Sequence, residues 1–340
     1  MTFQQILKSI RDKNLAPVYF LHGKEPFYID ELAKHFEQDA LSESEKAFNQ
    51  TILYGREVDP KKVLDHVRQF PVMAEKQLVL LREAASMKDL GSLEGYIKTP
   101  NPHCVFVIVH RNKLMDKRTS FYKSLAKHAV VFESKELKEK DLPSWISEYV
   151  KAKGFRIEPV AIDMLVELIG ANLGNLSNEL DKLVIGMEKG SAVSKDQVLA
   201  EIGMSKEYNV FELQSALATG NVFRVHQITR FFMANIREFP VQMLIAVLYN
   251  FYSKLYIAAA APNQSDNQMA QKLGYSSAWF IRDYKAAVKR YSYEDVERCL
   301  TILHQYDLKS KGMGARNPGQ QALMIELIDH LIFVRHGAGV

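Results

Sequence analysis

The residues best placed to do chemistry lie at the end of an early apolar run, in the segment LHGKEPFYIDEL (21–32). A nucleotide-hydrolysing loop needs G-x-x-x-x-G-K-[ST]. Its glycines let backbone N–H groups reach phosphate oxygens, its lysine meets the terminal phosphates and its hydroxyl holds magnesium. Gly23 and Lys24 are present, but no Ser or Thr follows and no Gly precedes at the required spacing. Glu25 puts negative charge where phosphates need positive potential. Gly23 reads as a turn residue.

The fourth apolar run, CVFVIVH (104–110), ends in His110 and Arg111 rather than in a magnesium-binding carboxylate pair, and Asp116 comes too late. A hydrolytic site therefore lacks both of its usual parts. The sequence has no H-E-x-x-H and no G-x-S-x-G, so neither a zinc protease nor a nucleophile elbow is indicated. His110 reads as a structural histidine at a strand end. Cys104 and Cys299 are far apart and fit neither a disulfide framework nor a cysteine-based zinc site. No metal or cofactor is expected.

The elements that would carry these residues alternate. Apolar runs at 16–23, 51–55, 77–84, 104–110 and 129–134 read as strands, separated by helical spacing at 25–41, 61–70, 90–98 and 117–127. Continuous apolar strands between amphipathic helices predict a doubly wound, mainly parallel α/β domain covered on both faces. From residue 135 onward the pattern is helical, with Trp145, Ile146 and Val150 on one stripe and Gly170 and Gly174 as punctuation. The segment 240–261 is apolar nearly all round, as expected of a helix buried among others. Domains are expected at 1–140 (α/β), 141–208 (small helical) and 209–340 (a bundle of five to seven helices).

The chain has 340 residues and a net charge of +4, with 47% hydrophobic and 25% charged residues, an ordinary globular balance. Residues 221–340 hold 14 Lys+Arg against 9 Asp+Glu, so the basic excess is C-terminal. Lys285, Lys289, Arg290, Lys309, Lys311 and Arg316 interleave there with Tyr284, Tyr291 and Tyr306. Such a set either faces DNA, with cations on phosphates and rings on bases, or is a solvated surface with tyrosines packed at its edge. The N-terminus is an amphipathic helix without the apolar core of a signal peptide, and no stretch has the length of a membrane span. A cytoplasmic location is expected.

Between the second helix and third strand lies Phe70-Pro71-Val72-Met73. Adjacent apolar residues at a loop tip either cap the domain core or dock on a partner, since loop tips normally favour polar residues.

Four segments resemble the bacterial DNA polymerase III delta-subunit family, in order along the chain. They are APVYFLHGKEPFYIDEL (16–32), FPVMAEKQLVLLREA (70–84), IGANLGNLSNELDKLVIGM (169–187) and the region 273–312. In the third, Gly170, Leu173, Leu176, Glu179, Leu180, Lys182 and Leu183 match the family's lid signature. The resemblance implies an AAA+-type α/β domain without a P-loop, a helical lid and a helical collar used for oligomerisation. It also implies a non-catalytic subunit of a DNA-directed DNA polymerase, a nucleotidyltransferase holoenzyme. Such a subunit binds and opens the sliding clamp (the beta subunit) through Phe70, Pro71, Val72 and Met73. The other implied partners are ATPase subunits and delta prime in a hetero-pentamer, and primer–template DNA through the complex. Delta prime itself carries a zinc-binding cysteine cluster and a Ser-Arg-Cys element, and this chain has neither. The rival readings are a degenerate NTPase, which predicts magnesium-dependent ATP binding, and a helical adaptor, which predicts no affinity for the clamp.

Overall fold

The computed structural model describes residues 1–201, 208–260, 264–313 and 319–336, and divides into two compact units, Met1–Leu137 and Lys138–Val340.

The first unit is built on five strands: β1 (Val18–Gly23), β2 (Gln50–Tyr54), β3 (Gln77–Arg82), β4 (Cys104–Arg111) and β5 (Val130–Ser134). Their order is β2-β3-β4-β1-β5 and every pairing is parallel. The apolar runs are continuous because both faces are covered, and the period of two sorts them. Tyr19, Leu21, Leu78, Leu80, Val105 and Val107 pack on one face against helices α1 (Phe3–Arg11) and α2 (Pro26–Asp39). Val18, Phe20, Val79, Leu81, Phe106 and Ile108 face the other way. Helix α3 (Glu43–Asn49) runs directly into β2. On that second face lie α4 (Pro60–Val67), α5 (Glu94–Lys98) and α6 (Ser120–His128).

Helix starts follow local chemistry. Glu25 and Asp59 cap α2 and α4, each followed by Pro at the first helical position, where its missing N–H costs nothing. Helix α4 ends at Val67, three residues before the expected end at Phe70. Helix α3 was not expected, because ESEKAFN carries no apolar stripe. Ser42 and Glu45 nevertheless form a capping box there, and S-x-x-E is its sequence mark.

Among the described residues, the regular structure of the second unit is helical apart from the two-residue strands β6 (Arg156–Ile157) and β7 (Ala192–Val193). It contains α7 (Leu142–Ala152), α8 (Pro159–Ile169), α9 (Leu173–Leu183), α10 (Lys195–Glu201), α11 (Val210–Thr219), α12 (Val222–Ala234) and α13 (Val241–Ala259). After these come α14 (Asp266–Leu273), α15 (Ile281–Arg290), α16 (Tyr293–Ser310) and α17 (Gln320–His336). Two carboxylates of α8 join distant parts of this unit. Asp163 accepts from the backbone N–H groups of Ser276 (2.7 Å) and Ser277 (3.0 Å). Glu167 accepts from Asn250 (3.0 Å), Tyr275 (3.0 Å) and Lys254. Helix α13 is less enclosed than its composition predicts: Tyr249, Tyr256 and Ile257 are exposed, leaving one side of it open. The expected boundary at 208/209 adjoins residues 202–207, which lie outside the described residues. Among the described residues no helix is long and apolar enough to cross a membrane.

Candidate functional site

The segment between α4 and β3 projects from the edge of the sheet formed by the N-terminal ends of the strands. The register explains how it is held. Gln50 pairs with Leu78 and Gln77 with Cys104, so Asn49, Gln77 and Asn101 gather along that edge. All three are carboxamides, able both to donate and to accept. Asn49 Nδ2 donates to the Val72 carbonyl (3.0 Å), and its Oδ1 accepts from the Val72 N–H (2.6 Å). Gln77 Nε2 donates to the carbonyls of His66 (3.1 Å) and Gln69 (2.7 Å). Asn101 Nδ2 also donates to Gln69 (2.9 Å). A loop has backbone groups with no ladder to join, and these side chains satisfy them.

The same loop turns apolar side chains outward. Phe70 is 74% exposed, Val72 55%, and Met73 is fully exposed. Pro71 is half-buried between them. The Phe70 ring lies 6.0 Å from the His103 ring, centre to centre. Met73 has φ 52°, a left-handed conformation that costs a non-glycine residue about 1–2 kcal/mol. These four residues do not cap the core. They form an apolar tip, pinned at its base and exposed to solvent.

The opposite edge of the sheet is where ligands of such folds usually bind. There Gly23 has φ 144°, and a Cβ on it would lie 2.0 Å from the Ser134 carbonyl oxygen. The glycine thus serves strand packing, not phosphate approach. Glu25 Oε1 accepts from the Phe27 N–H (2.9 Å), setting a carboxylate at the N-terminus of α2. Burial raises the pKa of Glu25. Lys24 lies 3.8 Å from Glu136. His22 and His110 are buried side by side in register, and burial lowers both pKa values, His22 to about 4. Phe20 stacks on His22 at 4.9 Å, which marks His22 as a core residue. Among the described residues no group of three or more His, Cys, Asp or Glu could hold a metal. Cys104 and Cys299 are buried thiols, both with pKa pushed up to about 12 by burial.

The C-terminal cations are mostly engaged. Lys285 pairs with Asp266, Lys309 with Glu326 (3.4 Å) and Lys311 with Asp307 (2.6 Å). The guanidinium of Arg290 lies where a Cβ on Gly220 would be, so Arg290 packs on the end of α11. Lys289 is exposed, and among the described residues no acidic group is within ion-pair distance of it. Arg316 lies outside the described residues. The tyrosines correct the stacking expectation. Tyr306 is 1% exposed, with its hydroxyl 3.3 Å from His330 Nδ1, and Tyr284 and Tyr291 are also buried. Rings at helical spacing serve the bundle core here, so no tyrosine of this set presents a face to a base.

Sequence reasoning did not single out Asn49, which holds the tip, or Phe48 next to it in the chain. Asn49 is 4% exposed and holds Val72, while its neighbour Phe48 is 77% exposed on the last turn of α3. The F-N pair carries no local mark, and the bond from Asn49 to Val72 appears only when β2 and β3 are set in register.

Comparison with known proteins follows the same lines. Residues 19–135, nearly all of the sheet unit, match the family described as DNA polymerase III, delta subunit. The chain is 26% identical over 258 residues to the DNA polymerase III subunit delta of Bacillus subtilis, covering 72% of this chain and 74% of that one. It is 23% identical over 311 residues to a probable DNA polymerase III subunit delta of Aquifex aeolicus, covering 86% of each. The structure of the Bacillus subtilis DNA clamp loader delta protein shares the fold, with a TM-score of 0.57 at 23% identity over 97% of this chain and 99% of that one. The sheet unit thus matches the delta-subunit family model over residues 19–135, and the chain along most of its length is similar to delta subunits of DNA polymerase III.

Proposed function

We propose that the chain acts as the delta subunit of a clamp loader, binding the ring-shaped sliding clamp through Phe70, Pro71, Val72 and Met73 and holding one interface of the ring open. The observation that carries this reading is the exposed apolar tip on a base tied by three buried or half-buried carboxamides. Burying Val72 and Met73 in a partner's pockets would contribute about 1.5–3 kcal/mol each. A few such anchors commonly dominate an interface. Opening needs tighter binding to the open ring than to the closed one, and the neighbouring helix α4 is the element beside the tip that can make that distinction.

ATP hydrolysis belongs to other subunits in this reading, since a carboxylate occupies the helix N-terminus where phosphates would bind. The AAA+-type domain at 1–140, the lid at 141–208 and the collar at 209–340 form one working plan. The collar joins the ATPase subunits and delta prime in a pentamer, which meets primer–template DNA in the cytoplasm. Direct DNA contact by this chain rests on Lys289 and its neighbours and would be salt-sensitive, with little sequence preference.

The test is binding of the full chain to the sliding clamp of its own organism, with and without ATP, for wild type and Val72→Ser/Met73→Asp. Tight, ATP-independent binding lost in the variant is expected. A folded wild-type chain with no affinity for the clamp sinks the proposal and favours an adaptor role.

A further inference from the structure

The end of α3 bears on the tip in two ways. Asn49 makes both of its short contacts to one residue, Val72, and a third bond to the Glu45 carbonyl (3.2 Å) that anchors its amide to its own helix. The pairing copies a strand's reciprocal N–H and C=O exchange, so it fixes the Val72 peptide orientation as well as its position. Met73 follows immediately in the left-handed region, a conformation an unrestrained loop would leave. One residue before Asn49, Phe48 exposes 77% of its surface. Because its chain neighbour Asn49 is bonded to Val72, the Phe48 backbone lies one residue from the base of the tip, so its exposed ring can extend the apolar surface of Phe70, Val72 and Met73.

We infer that α3 is the second half of the docking surface, with Asn49 as the positioning residue that presets the tip and Phe48 as a further apolar anchor for the same partner. This rests on the proposed clamp-binding role, and the occupant is therefore the sliding clamp. Asn49 lowers the ordering cost of binding, because the loop is already in one shape. Phe48 enlarges the desolvated centre of the contact. The seven-residue helix, short and otherwise polar, is retained on this view because it delivers both residues to the strand edge.

The experiment measures clamp affinity for full-length wild type, Phe48→Ser, Asn49→Ala and Val72→Ser/Met73→Asp. Thermal midpoints and the backbone amide heteronuclear NOE of Met73 are recorded for each free chain that retains Met73. Phe48→Ser is expected to weaken binding about tenfold or more with an unchanged midpoint. Asn49→Ala is expected to weaken it similarly and to lower the Met73 amide NOE toward the value of a flexible loop, while the amides of β3 keep theirs. A purely structural Asn49 would lower the midpoint without changing the Met73 NOE. If Val72→Ser/Met73→Asp abolishes binding while Phe48→Ser and Asn49→Ala bind like wild type, the α3 inference is overturned and the clamp-binding role stands. If wild type does not bind the clamp, both fall. Should Asn49→Ala fail to fold, the exposed Phe48→Ser variant decides the matter alone.

Discussion

The carboxylate of Glu25 accepts a hydrogen bond from the Phe27 N–H at 2.9 Å, across the first turn of α2. The chain thereby supplies its own anion to a helix N-terminus that in nucleotide-binding relatives of this fold receives phosphate. Wild-type protein is expected to show no magnesium-dependent ATP binding in calorimetric titration. A saturable, magnesium-dependent isotherm would restore the NTPase reading. Glu25→Ala removes a helix cap and should cost about 0.5–2 kcal/mol of stability in denaturant unfolding.

Met73 separates loop shape from loop chemistry. Glycine relieves its left-handed backbone, at the expense of a more flexible unfolded chain. Met73→Gly should change stability by no more than about 1 kcal/mol in either direction, while clamp affinity falls about tenfold or more through the lost side chain. Surface plasmon resonance beside thermal melts reads both. Equal clamp affinity in the variant would mean that Met73 is not an anchor.

His22 predicts a pH dependence with a definite sign. Burial is the first cause of its depression to about 4; Glu133 opposes the shift, and His110 and Lys117 add to it. Above the ordinary value near 6.5 both folded and unfolded states are neutral, and His22 contributes nothing. As pH falls from about 6.5 toward 4, the unfolded chain takes up a proton that the folded chain refuses. Stability is lost across that window, by at most about 3 kcal/mol. Denaturant midpoints for wild type and His22→Asn between pH 7 and 5 should diverge, with the variant's slope shallower. Parallel slopes would remove His22 as the cause.

Glu167 is the hub of the second unit. Its carboxylate is almost wholly buried, and Asn250, Lys254 and Tyr275 all donate to it. Removing one partner of a buried pair leaves the other's charge uncompensated. Glu167→Ala should therefore destabilise by about 3–5 kcal/mol in urea unfolding. The double variant Glu167→Ala/Lys254→Met should recover part of that loss. An Ala variant as stable as wild type would show that these bonds do not hold α8 to α13.

Much of this protein is written locally. Five apolar runs bounded by Gly, Pro and polar residues appear as β1 to β5; the three central strands β1, β3 and β4 are buried on both faces, which keeps charges out of their middles, while the edge strands β2 and β5 are partly exposed. The missing P-loop and the apolar cluster at Phe70–Met73 are equally local, being statements about neighbours in sequence. Other features were not legible. Helix α3 lacks the periodicity that marks its neighbours, and the tyrosines at 284, 291 and 306 look the same in sequence whether they face solvent or core. Asn49 meets Val72 across 23 residues, and Lys285 meets Asp266 across 19. Such partners follow from strand order, register and helix packing, which arise from the whole core at once. Sequence by itself determined the five strands of the sheet, the helices with an apolar stripe and which chemistry is missing. Tertiary structure decided which side chains hold the tip and which cations remain unpaired, because hydrogen bonds and ion pairs act only over a few ångströms.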